Sequence, residues 1–532
     1  MSEYNINGLA IPLFLVIMCF EYLILRLRGR NLHRYNDSVT SLSMGLCLLI
    51  SDALLKAYTF AIFIYIWQHH RLIDFSSTDI ITWVVFFFGV DFCYYWFHRL
   101  AHEVNLLWGA HVGHHQSEEY NLTTALRQSA FQYAFSWVFY LPLAFLGCPP
   151  HVFLIQFIIL KLYQFWLHTQ AIKKVPFVEG ILSTPSSHRV HHAKNPQYID
   201  RNYGGTLVIW DRVFGTWQPE LINEPCHYGT TQPLNTLNPI KANLQHWALL
   251  AKDSLHTQSW QNKIKLWFQP TGWRPDDCQD RETNNRMLQK SGSGNREKYD
   301  PKTTQIIKIY VGISMLLTFF VTTMFVFLAP TLSAEKLALG VGLIVSGLVI
   351  GNDLLENKKR YALIEIIRLP LMLWFASTLW FSTMTSHMVH TVVIKHSPIE
   401  SLNYASSVAL WPQWHPQSTK VYASSGPLTT GEHFEEDINT PIGMNHLVWD
   451  VVEHEPGSIW RAHAINQNNN VAIELTYKVS ASGENTIFQR TLQYTMPNIF
   501  LTAFNALYFE KLTQKKSEAA LIRLKQVIEA RQ

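Results

Sequence analysis

The sequence has little charge and no pattern of paired cysteines. Only 15% of its 532 residues are Asp, Glu, Lys or Arg, whereas about 25% is typical of soluble proteins, which argues against a wholly soluble chain. The six cysteines form no CxxC pair, so no disulfide framework is predicted. The formal net charge is only +4, and the basic residues cluster beside apolar runs. This pattern indicates membrane flanks and no nucleic-acid partner.

Hydrophobic residues, in contrast, make up 48% of the chain and are collected in long runs. A membrane-spanning helix needs roughly 20 such residues. Suitable runs lie at 9–27, 42–66, 79–98, 130–147 and 150–170, and further ones at 305–329, 336–351 and 369–385, the last two being short. Arg26, Arg28, Arg30 and Arg34 accompany and follow the end of the first run. A signal peptide carries its charge before the apolar run, so an uncleaved first span that ends in the cytoplasm is predicted.

Four segments are predicted from these patterns. They are a membrane core at 1–282, a linker at 283–304, additional membrane helices at 305–385 and a soluble domain at 386–532. In the last segment a helix start is predicted at Ser397-Pro398, and a final helix at about 499–530. Strand-like runs lie at 390–395, 445–454, 458–465, 471–480 and 486–495. The expected fold class is a mainly α-helical polytopic membrane protein with a C-terminal α+β domain.

Histidines form three closely spaced motifs between residues 98 and 192. They are His98-x-x-x-His102, His111-x-x-His114-His115 and His188-x-x-His191-His192. With 24 histidines in the chain, an HxxHH pattern arises by chance only about 0.05 times. Histidines three or four residues apart share one helix face, and neutral imidazole ligates iron, copper and zinc. Eight such donors exceed the three or four of one zinc site, so a site for two metal ions is predicted.

The three motifs are expected on one side of the membrane. His98 and His102 end the third apolar run, while the other two motifs lie in polar segments. Because the first span is predicted to end in the cytoplasm, the end of the third span is cytoplasmic as well. All eight histidines would then meet at the cytoplasmic face, within reach of a hydrocarbon chain in the bilayer. The alternative is a set of core or interfacial histidines that bind no metal.

Residues around the histidines repeat the motifs of a known family. The segments are 98–105, 120–128, 164–169, 195–205 and 210–216. Together with the histidine motifs they resemble the fatty acid hydroxylase/sterol desaturase superfamily, and within it the alkylglycerol monooxygenases. The resemblance extends over residues 1–385 and is dense from 91 to 240. Two features depart from it, since the family tends to have a histidine in place of Ser187 and continues with membrane helices in place of the soluble domain.

This resemblance implies a membrane di-iron monooxygenase. Two iron ions held by the eight histidines would use O2 and tetrahydrobiopterin to hydroxylate the ether-bearing carbon of an alkylglycerol-type membrane lipid. Electrons would come from an external reductant or a pterin-recycling system, because no segment of the chain resembles a cytochrome or ferredoxin. The membrane would be a bacterial inner membrane or one of the ER type. The oligomeric state, and whether iron or zinc is bound, stay open.

Five further residues are candidates for the site, each with a structural alternative. His168 is either a ninth metal ligand or a helix-end histidine bonded to the backbone. Glu103 and Asp91 are the candidates for catalytic residues beside the metals. Glu103 would hold the pterin or a ligand's hydrogen bond, or else be a solvated surface residue; Asp91 would support a ligand or mark a helix boundary. Asp200 and Asn202 either orient ligands or cap a turn.

Residues from about 386 to 530 resemble the START-like, or SRPBCC, helix-grip fold. The cues are the strand pattern, the motif Trp411-Pro412-x-Trp414-His415-Pro416 and the long last helix. Such domains hold hydrophobic ligands between a curved sheet and that helix, which implies binding of substrate or product lipid. The alternative is a structural or partner-docking domain. Trp411 and Trp414 would be lid residues or packed core aromatics.

Two other functions are compatible with the sequence. One is hydroxylation or desaturation of a sterol or fatty acyl chain, with a protein electron donor in place of the pterin. The other is a lipid carrier or scaffold whose metal motifs are inactive. The intact spacing of all eight histidines argues against the carrier.

Overall fold

Helices build the first of the two units into which the chain divides, Met1–Phe375. The computed structural model describes residues 3–278, 297–329, 332–358, 361–440, 443–466, 470–496, 502, 505 and 509–531. The second unit is Ala376–Gln532. Most of the predicted linker at 283–304 lies outside the described residues, so the four-segment division stays a prediction.

The first sixteen helices follow in chain order. They are α1 (Glu3–Leu27), α2 (Tyr35–His70), α3 (Ile80–Glu103), α4 (Asn105–Gly109), α5 (Val112–His115), α6 (Leu122–Ala125), α7 (Gln132–Ser136), α8 (Leu141–Leu146), α9 (Pro150–Phe165), α10 (Pro185–His191), α11 (Ile209–Val213), α12 (Pro239–His256), α13 (Trp260–Phe268), α14 (Gln305–Leu328), α15 (Ala334–Leu355) and α16 (Ala362–Met384). Five of those in the described part of the chain, α2, α3, α14, α15 and α16, are long and apolar enough to cross a membrane. The predicted polytopic helical fold class is confirmed.

The predicted spans differ from the helices in four respects. Helix α1 covers the first predicted span and is not among the five. The two late spans that looked short extend to helices of 22 and 23 residues. The span predicted at 130–147 breaks into α7, a 3₁₀ turn and α8. Helix α9 has 16 residues, or about 24 Å at 1.5 Å per residue, which is less than the hydrocarbon thickness of a bilayer.

A tight turn at Gly147 joins α8 to α9, where the Gly-Cys-Pro-Pro sequence at 147–150 interrupts the apolar runs. Gly147 has a φ of 104°, in the left-handed region that glycine favours. Pro150 begins α9, where its missing N–H costs no helical hydrogen bond. This turn lets α8 and α9 pack with α2 and α3 around a mostly aromatic core that includes Phe63, Phe86, Tyr94, Tyr140 and Leu160. The core holds α3 in place, and the first histidine motif lies at the C-terminal end of that helix.

The second unit is an antiparallel sheet of seven strands with a long helix. Its elements are β1 (Thr385–Ile394), α17 (Pro398–Ser406), α18 (Trp411–Trp414), β2 (Ser418–Tyr422), β3 (His433–Thr440), β4 (Gly443–Glu455), β5 (Ile459–Asn466), β6 (Ala472–Ser482), β7 (Asn485–Thr495) and α19 (Glu510–Glu529). The strand order is β1-β7-β6-β5-β4-β3-β2. Helix α19 contributes Leu521, Leu524 and Ile528 to a core shared with the sheet. The predicted α+β helix-grip architecture is confirmed.

Several local predictions for this unit can be compared with the structure. Ser397 caps α17 as predicted, its hydroxyl accepting from the Glu400 N–H at 3.3 Å. Trp411 and Trp414 are fully buried in the core, so they are core aromatics and not lid residues. The predicted start of the last helix, at about 499, lies outside the described residues.

Strands β2 and β3 were not predicted from the sequence. In β3 the inward-facing positions are Phe434, Glu436 and Ile438, so a buried glutamate interrupts the apolar alternation. A strand predictor that relies on alternating apolar residues misses such a segment. The same glutamate belongs to a cavity described below.

The Gly147 turn makes a prediction about stability. A Cβ atom added at Gly147 would lie 1.8 Å from the carbonyl oxygen of Ile73. Gly147→Ala should therefore lower the free energy of unfolding by more than the about 1–2 kcal/mol that a left-handed alanine costs. The measurement is the melting temperature of the purified protein. Gly342→Ala is the matched control, since nothing lies within 4 Å of its added Cβ atom; equal melting temperatures for the two variants would contradict the prediction.

Candidate metal centre

Nine buried histidines form two adjacent groups at the end of α3. The first histidine group consists of His98, His102, His111, His115 and His191, and the second of His114, His168, His188 and His192. Within each group the candidate ligand atoms lie within 4.8 Å of one another. The structure thus brings together all eight predicted histidines and adds His168 to the second group. The Nε2 atom of His168 lies 3.0 Å from that of His188 and 3.3 Å from that of His114.

Each HxxHH motif divides its histidines between the two groups. In the first motif, His111 and His115 belong to the first group and the intervening His114 to the second. In the other motif the assignment is reversed, because His191 belongs to the first group while His188 and His192 belong to the second. The prediction that histidines three residues apart point the same way is wrong for His111 and His114 and for His188 and His191. A residue one position before another on a helix is rotated by about 100°, so neighbouring histidines such as 191 and 192 face different groups.

Backbone carbonyl oxygens orient four of the nine rings. The Nδ1 atoms of His98, His114, His168 and His191 lie 2.8–3.0 Å from the carbonyl oxygens of Tyr203, Arg127, Gln164 and Arg201. A carbonyl only accepts, so each Nδ1 carries the proton and each Nε2 presents a lone pair. The Nε2 atoms of His98 and His111 are 3.1 Å apart, and those of His111 and His115 are 3.2 Å apart. Such converging nitrogens are the arrangement that a bound cation needs.

Burial keeps these imidazoles neutral. Desolvation first, and neighbouring histidines second, lower the pKa of His111, His115, His188 and His192 well below the ordinary value. Burial also lowers the pKa of His168, to about 4. The Nε2 atoms of His102, His191 and His192 have no hydrogen-bond partner among the described residues. A buried polar atom without a partner is costly, and a metal ion at each group would supply the missing interaction.

The helix that carries the last motif begins with a capping box. Thr184 Oγ1 accepts from the Ser187 N–H at 3.2 Å, and Ser187 Oγ accepts from the Thr184 N–H at 2.8 Å. Pro185 occupies the first turn of this helix, α10. Ser187 therefore stabilises the helix start. It is absent from both histidine groups.

Two buried aspartates hold the loop after α10 against α3. Asp91 accepts from the Thr206 and Leu207 N–H groups at 2.7 and 3.2 Å and from Trp210 Nε1 at 3.0 Å. Asp211 accepts from the Tyr203 N–H at 2.7 Å and from the Gly204 N–H at 2.8 Å. Because the Tyr203 carbonyl orients His98, both carboxylates position a candidate ligand indirectly. Asp211 was not weighed from the sequence, although the Trp210-Asp211 motif could have indicated it.

Three other candidate residues, Asp200, Asn202 and Glu103, have different surroundings. Asp200 Oδ1 lies 3.5 Å from His102 Nδ1, at the edge of the first group. Asn202 instead joins two loops, since its Nδ2 donates to the Ser187 and Gln218 carbonyls at 3.0 and 2.7 Å. Glu103 forms an ion pair with Arg99 at 2.9 Å and is partly exposed. Its predicted role beside the metals stays a prediction.

Two cavities meet the histidines from different sides. The apolar cavity, with an empty volume of about 1260 Å³, reaches His111, His114, His168 and His188. Its wall includes Leu46, Leu49, Ala125, Leu126 and Phe165 from α2, α6 and α9. This cavity has the shape and lining that a hydrocarbon chain requires.

The polar cavity, with an empty volume of about 1230 Å³, reaches His102, His115, His191 and His192. Gln116, Lys194, Asp200, Gln245 and Arg274 line it. The histidines thus separate an apolar chamber from a polar one.

Residues 83–216 match the family model of fatty acid hydroxylases. An alkylglycerol monooxygenase of Xenopus tropicalis is 42% identical over 341 residues, which cover 64% of this chain and 75% of that protein. The Homo sapiens alkylglycerol monooxygenase is 38% identical over 364 residues, which cover 68% of this chain and 80% of that protein. The chain belongs to the alkylglycerol monooxygenase family. The matched segment, residues 83–216, includes all nine histidines, from the end of α3 to the end of α10.

The second unit has its own relatives. Residues 385–529 match the family model of polyketide cyclase/dehydrase and lipid transport proteins. The di-domain ARO/CYC StfQ from the steffimycin biosynthetic pathway aligns with a TM-score of 0.25 and 14% identity, over 32% of this chain and 61% of StfQ. The family model and the strand order establish a START-like fold for this unit.

The position of His168 makes a prediction about metal content. His168→Ala removes one of four donors from the second group, so bound metal should fall from about two ions to about one per chain. The measurement is elemental analysis of the purified protein. The control is His256→Ala, because His256 is exposed near the end of α12 and belongs to neither group. Undiminished metal in His168→Ala would show that His168 is a backbone-bonded helix-end residue.

The Asp211 contacts make a prediction about the supporting loop. In Asp211→Asn the amide NH2 would face backbone N–H donors, so stability should fall by about 1–3 kcal/mol. Thermal melting measures this loss, and metal content should fall with it because Tyr203 no longer fixes His98. Asp74→Asn is the control, since Asp74 is 80% exposed beside Arg71 and such pairs contribute little. Matching melting curves would contradict the supporting role.

Proposed function

We propose that the protein is a di-iron monooxygenase that hydroxylates an alkylglycerol-type ether lipid with O2 and a tetrahydropterin. The observation that carries the proposal is the pair of neutral, buried histidine groups between an apolar and a polar cavity. Membership in the alkylglycerol monooxygenase family supports the substrate class. The first histidine group would hold one iron and the second the other.

The donor set fits iron. All nine donors are imidazoles without a cysteine, and imidazole suits iron as well as zinc or copper. Orientation of His98, His114, His168 and His191 by backbone carbonyls fixes their tautomers before any metal binds. Iron bound there would activate O2 for attack on an unactivated C–H bond, while the protein positions the substrate and excludes water.

The alkyl chain of the lipid would lie in the apolar cavity. This places the carbon that reacts beside the second histidine group, which lines the cavity through His114, His168 and His188. Polar side chains in the same cavity, including Gln128, Gln164 and Lys161, are available to a glycerol head group. An ether lipid combines these two requirements, because it joins a long chain to a polar head through one oxygen.

The reductant would enter through the polar cavity. A pterin is flat, polar and rich in hydrogen-bonding nitrogen and oxygen atoms, and Gln116, Gln245 and Arg274 offer matching groups near the first histidine group. Glu103 is not among the residues that line this cavity. Separate entrances keep a water-soluble reductant away from the hydrocarbon chamber.

The reaction has a defined outcome. One oxygen atom of O2 would enter the C–H bond beside the ether oxygen, and the other would leave as water after taking up two electrons and two protons from the tetrahydropterin. The product is a hemiacetal. When its hydroxyl proton moves to the glycerol oxygen and the bond from the carbon to that oxygen breaks, a long-chain aldehyde and glycerol result.

The histidine groups would lie at the cytoplasmic face of the membrane. Arg28 and Arg30 follow α1, and their Nη1 atoms donate to the carbonyls of Ala171 and Gln170 at 3.2 and 3.1 Å. These carbonyls follow His168 closely in the chain, so the arginine-rich end of α1 lies near the metal centre. Basic residues that flank spans favour the cytoplasmic side.

The test uses the full-length protein in lipid nanodiscs. Incubated with 1-O-hexadecylglycerol, O2 and tetrahydrobiopterin, it should form hexadecanal and glycerol and contain about two irons per chain. His114→Ala should lose at least about a hundredfold in rate, because a ligand of the second group is gone, while the exposed control His256→Ala keeps the rate.

Other outcomes separate the alternatives. Turnover of a sterol or fatty acyl lipid with a ferredoxin or cytochrome, and none with the pterin, would overturn the proposal in favour of that enzyme class. Folded protein without bound metal would favour a lipid carrier.

A further inference from the structure

The second unit encloses a cavity of its own. It lies between strands β3–β7 and helices α18 and α19, with an empty volume of about 910 Å³. Leu447, Ile473, Leu475 and Leu492 are among the residues that line it. The apolar lining suits an alkyl chain.

Three polar side chains line the same cavity where it meets the aromatic core. His415, Glu436 and Arg490 are 6%, 1% and 3% exposed, beside the buried ring of Trp411. No carboxylate lies within ion-pair distance of Arg490 in the described part of the chain. Burying polar and charged side chains that are incompletely paired is expensive. A bound polar group would compensate for the cost.

Hydrogen bonds determine which atoms face a ligand. Arg490 Nη2 lies 3.2 Å from His415 Nε2, and Arg490 also donates to Ser517. A guanidinium only donates, so His415 Nε2 accepts and its proton is on Nδ1. Glu436 Oε2 accepts from Trp449 Nε1 at 3.0 Å. His415 Nδ1, Arg490 Nε and Glu436 Oε1 have no hydrogen-bond partner among the described residues.

Protonation makes these three atoms donors. Burial, and then the charge of Arg490, hold the pKa of His415 well below its ordinary value, so the ring is neutral. Burial raises the pKa of Glu436 to about 7, so near neutral pH a substantial fraction carries a proton on the free oxygen. When Glu436 is protonated, its free oxygen, His415 Nδ1 and Arg490 Nε are all donors, which together are complementary to an acceptor.

We propose that this cavity binds a single long alkyl chain that ends in a carbonyl group, either an aldehyde or a carboxylate. The carbonyl oxygen accepts from Arg490 and His415, with Glu436 beside them, and the chain lies along Leu475 and Leu492. A long-chain alcohol or an alkane would accept hydrogen bonds from fewer of these donors. No covalent step is involved.

A link to the first unit rests on the proposed function. Hydroxylation beside an ether oxygen releases a long-chain aldehyde, which is a chain of this class. The second unit then holds the product of the reaction in the same polypeptide. A fatty acid is the other source of the same chemistry.

The test locates a bound chain directly. Full-length protein in nanodiscs is photolabelled with a 16-carbon fatty acid that carries a diazirine in its chain, and the labelled peptides are identified by mass spectrometry. Label is expected on β6 and β7, which contain Leu475 and Leu492. Hexadecanal or palmitate should compete at least about tenfold better than hexadecane, because charge-assisted hydrogen bonds to the head are worth that factor.

Variants separate binding from folding. Arg490→Met should lose about tenfold in labelling of β6 and β7, while the control Arg461→Met, on the exposed side of β5, keeps it. If Arg490→Met has a lowered melting temperature, Leu492→Trp supplies the second variant, since it fills the cavity and leaves the polar end intact. Equal competition by hexadecane, or undiminished labelling in both cavity variants, would overturn the proposal.

Two further results concern the link to the reaction. Competition by palmitate alone would keep the carbonyl site and overturn the assignment of the aldehyde product. Labelling measured in His114→Ala separates the two proposals, because that variant should lose hydroxylation and keep labelling. Turnover without labelling on the sheet would overturn this inference alone.

Discussion

The desolvation of nine imidazoles is the constraint on which the first unit depends. Each ring is buried with a nitrogen lone pair that requires a partner. Carbonyl groups from three separate segments bind the outer nitrogens of four rings and leave their inner nitrogens converging. The segments themselves need support, which Asp91 and Asp211 give to the Tyr203 loop. The rings, their carbonyl partners and the aspartates therefore depend on one another. Loss of an aspartate should loosen the Tyr203 loop, and a loosened loop should no longer fix the ring of His98.

Access to the histidine groups from two sides agrees with the chemistry of a lipid monooxygenase. The substrate is apolar where it reacts, whereas the reductant is polar. A single cavity would have to satisfy both kinds of molecule. The apolar cavity reaches the second histidine group and the polar cavity mainly the first. The division of each HxxHH motif between the groups follows from helix geometry, and it places donors on both sides from only two short helices.

The second unit also buries polar atoms that lack hydrogen-bond partners among the described residues. Its sheet lines an apolar cavity, beside which the polar side chains of His415, Glu436 and Arg490 are buried at a cost in desolvation. Glu436 is the clearest case, because its inward position in β3 disrupts the pattern by which that strand could have been predicted. A residue that opposes local structure and carries a cost in stability is a candidate for function.

Local patterns in the sequence indicated the long apolar helices, the three histidine motifs, the Gly147 turn, the cap at Ser397 and five of the seven described strands, because each depends on residues within a few positions of one another. Only the tertiary structure decided which histidines share a group, that His168 joins the second group, that Asp211 supports His98, and that His415, Glu436 and Arg490 meet in one cavity. These residues lie far apart in the chain. Their proximity depends on how helices and strands pack, and neither a motif nor a periodicity records that packing.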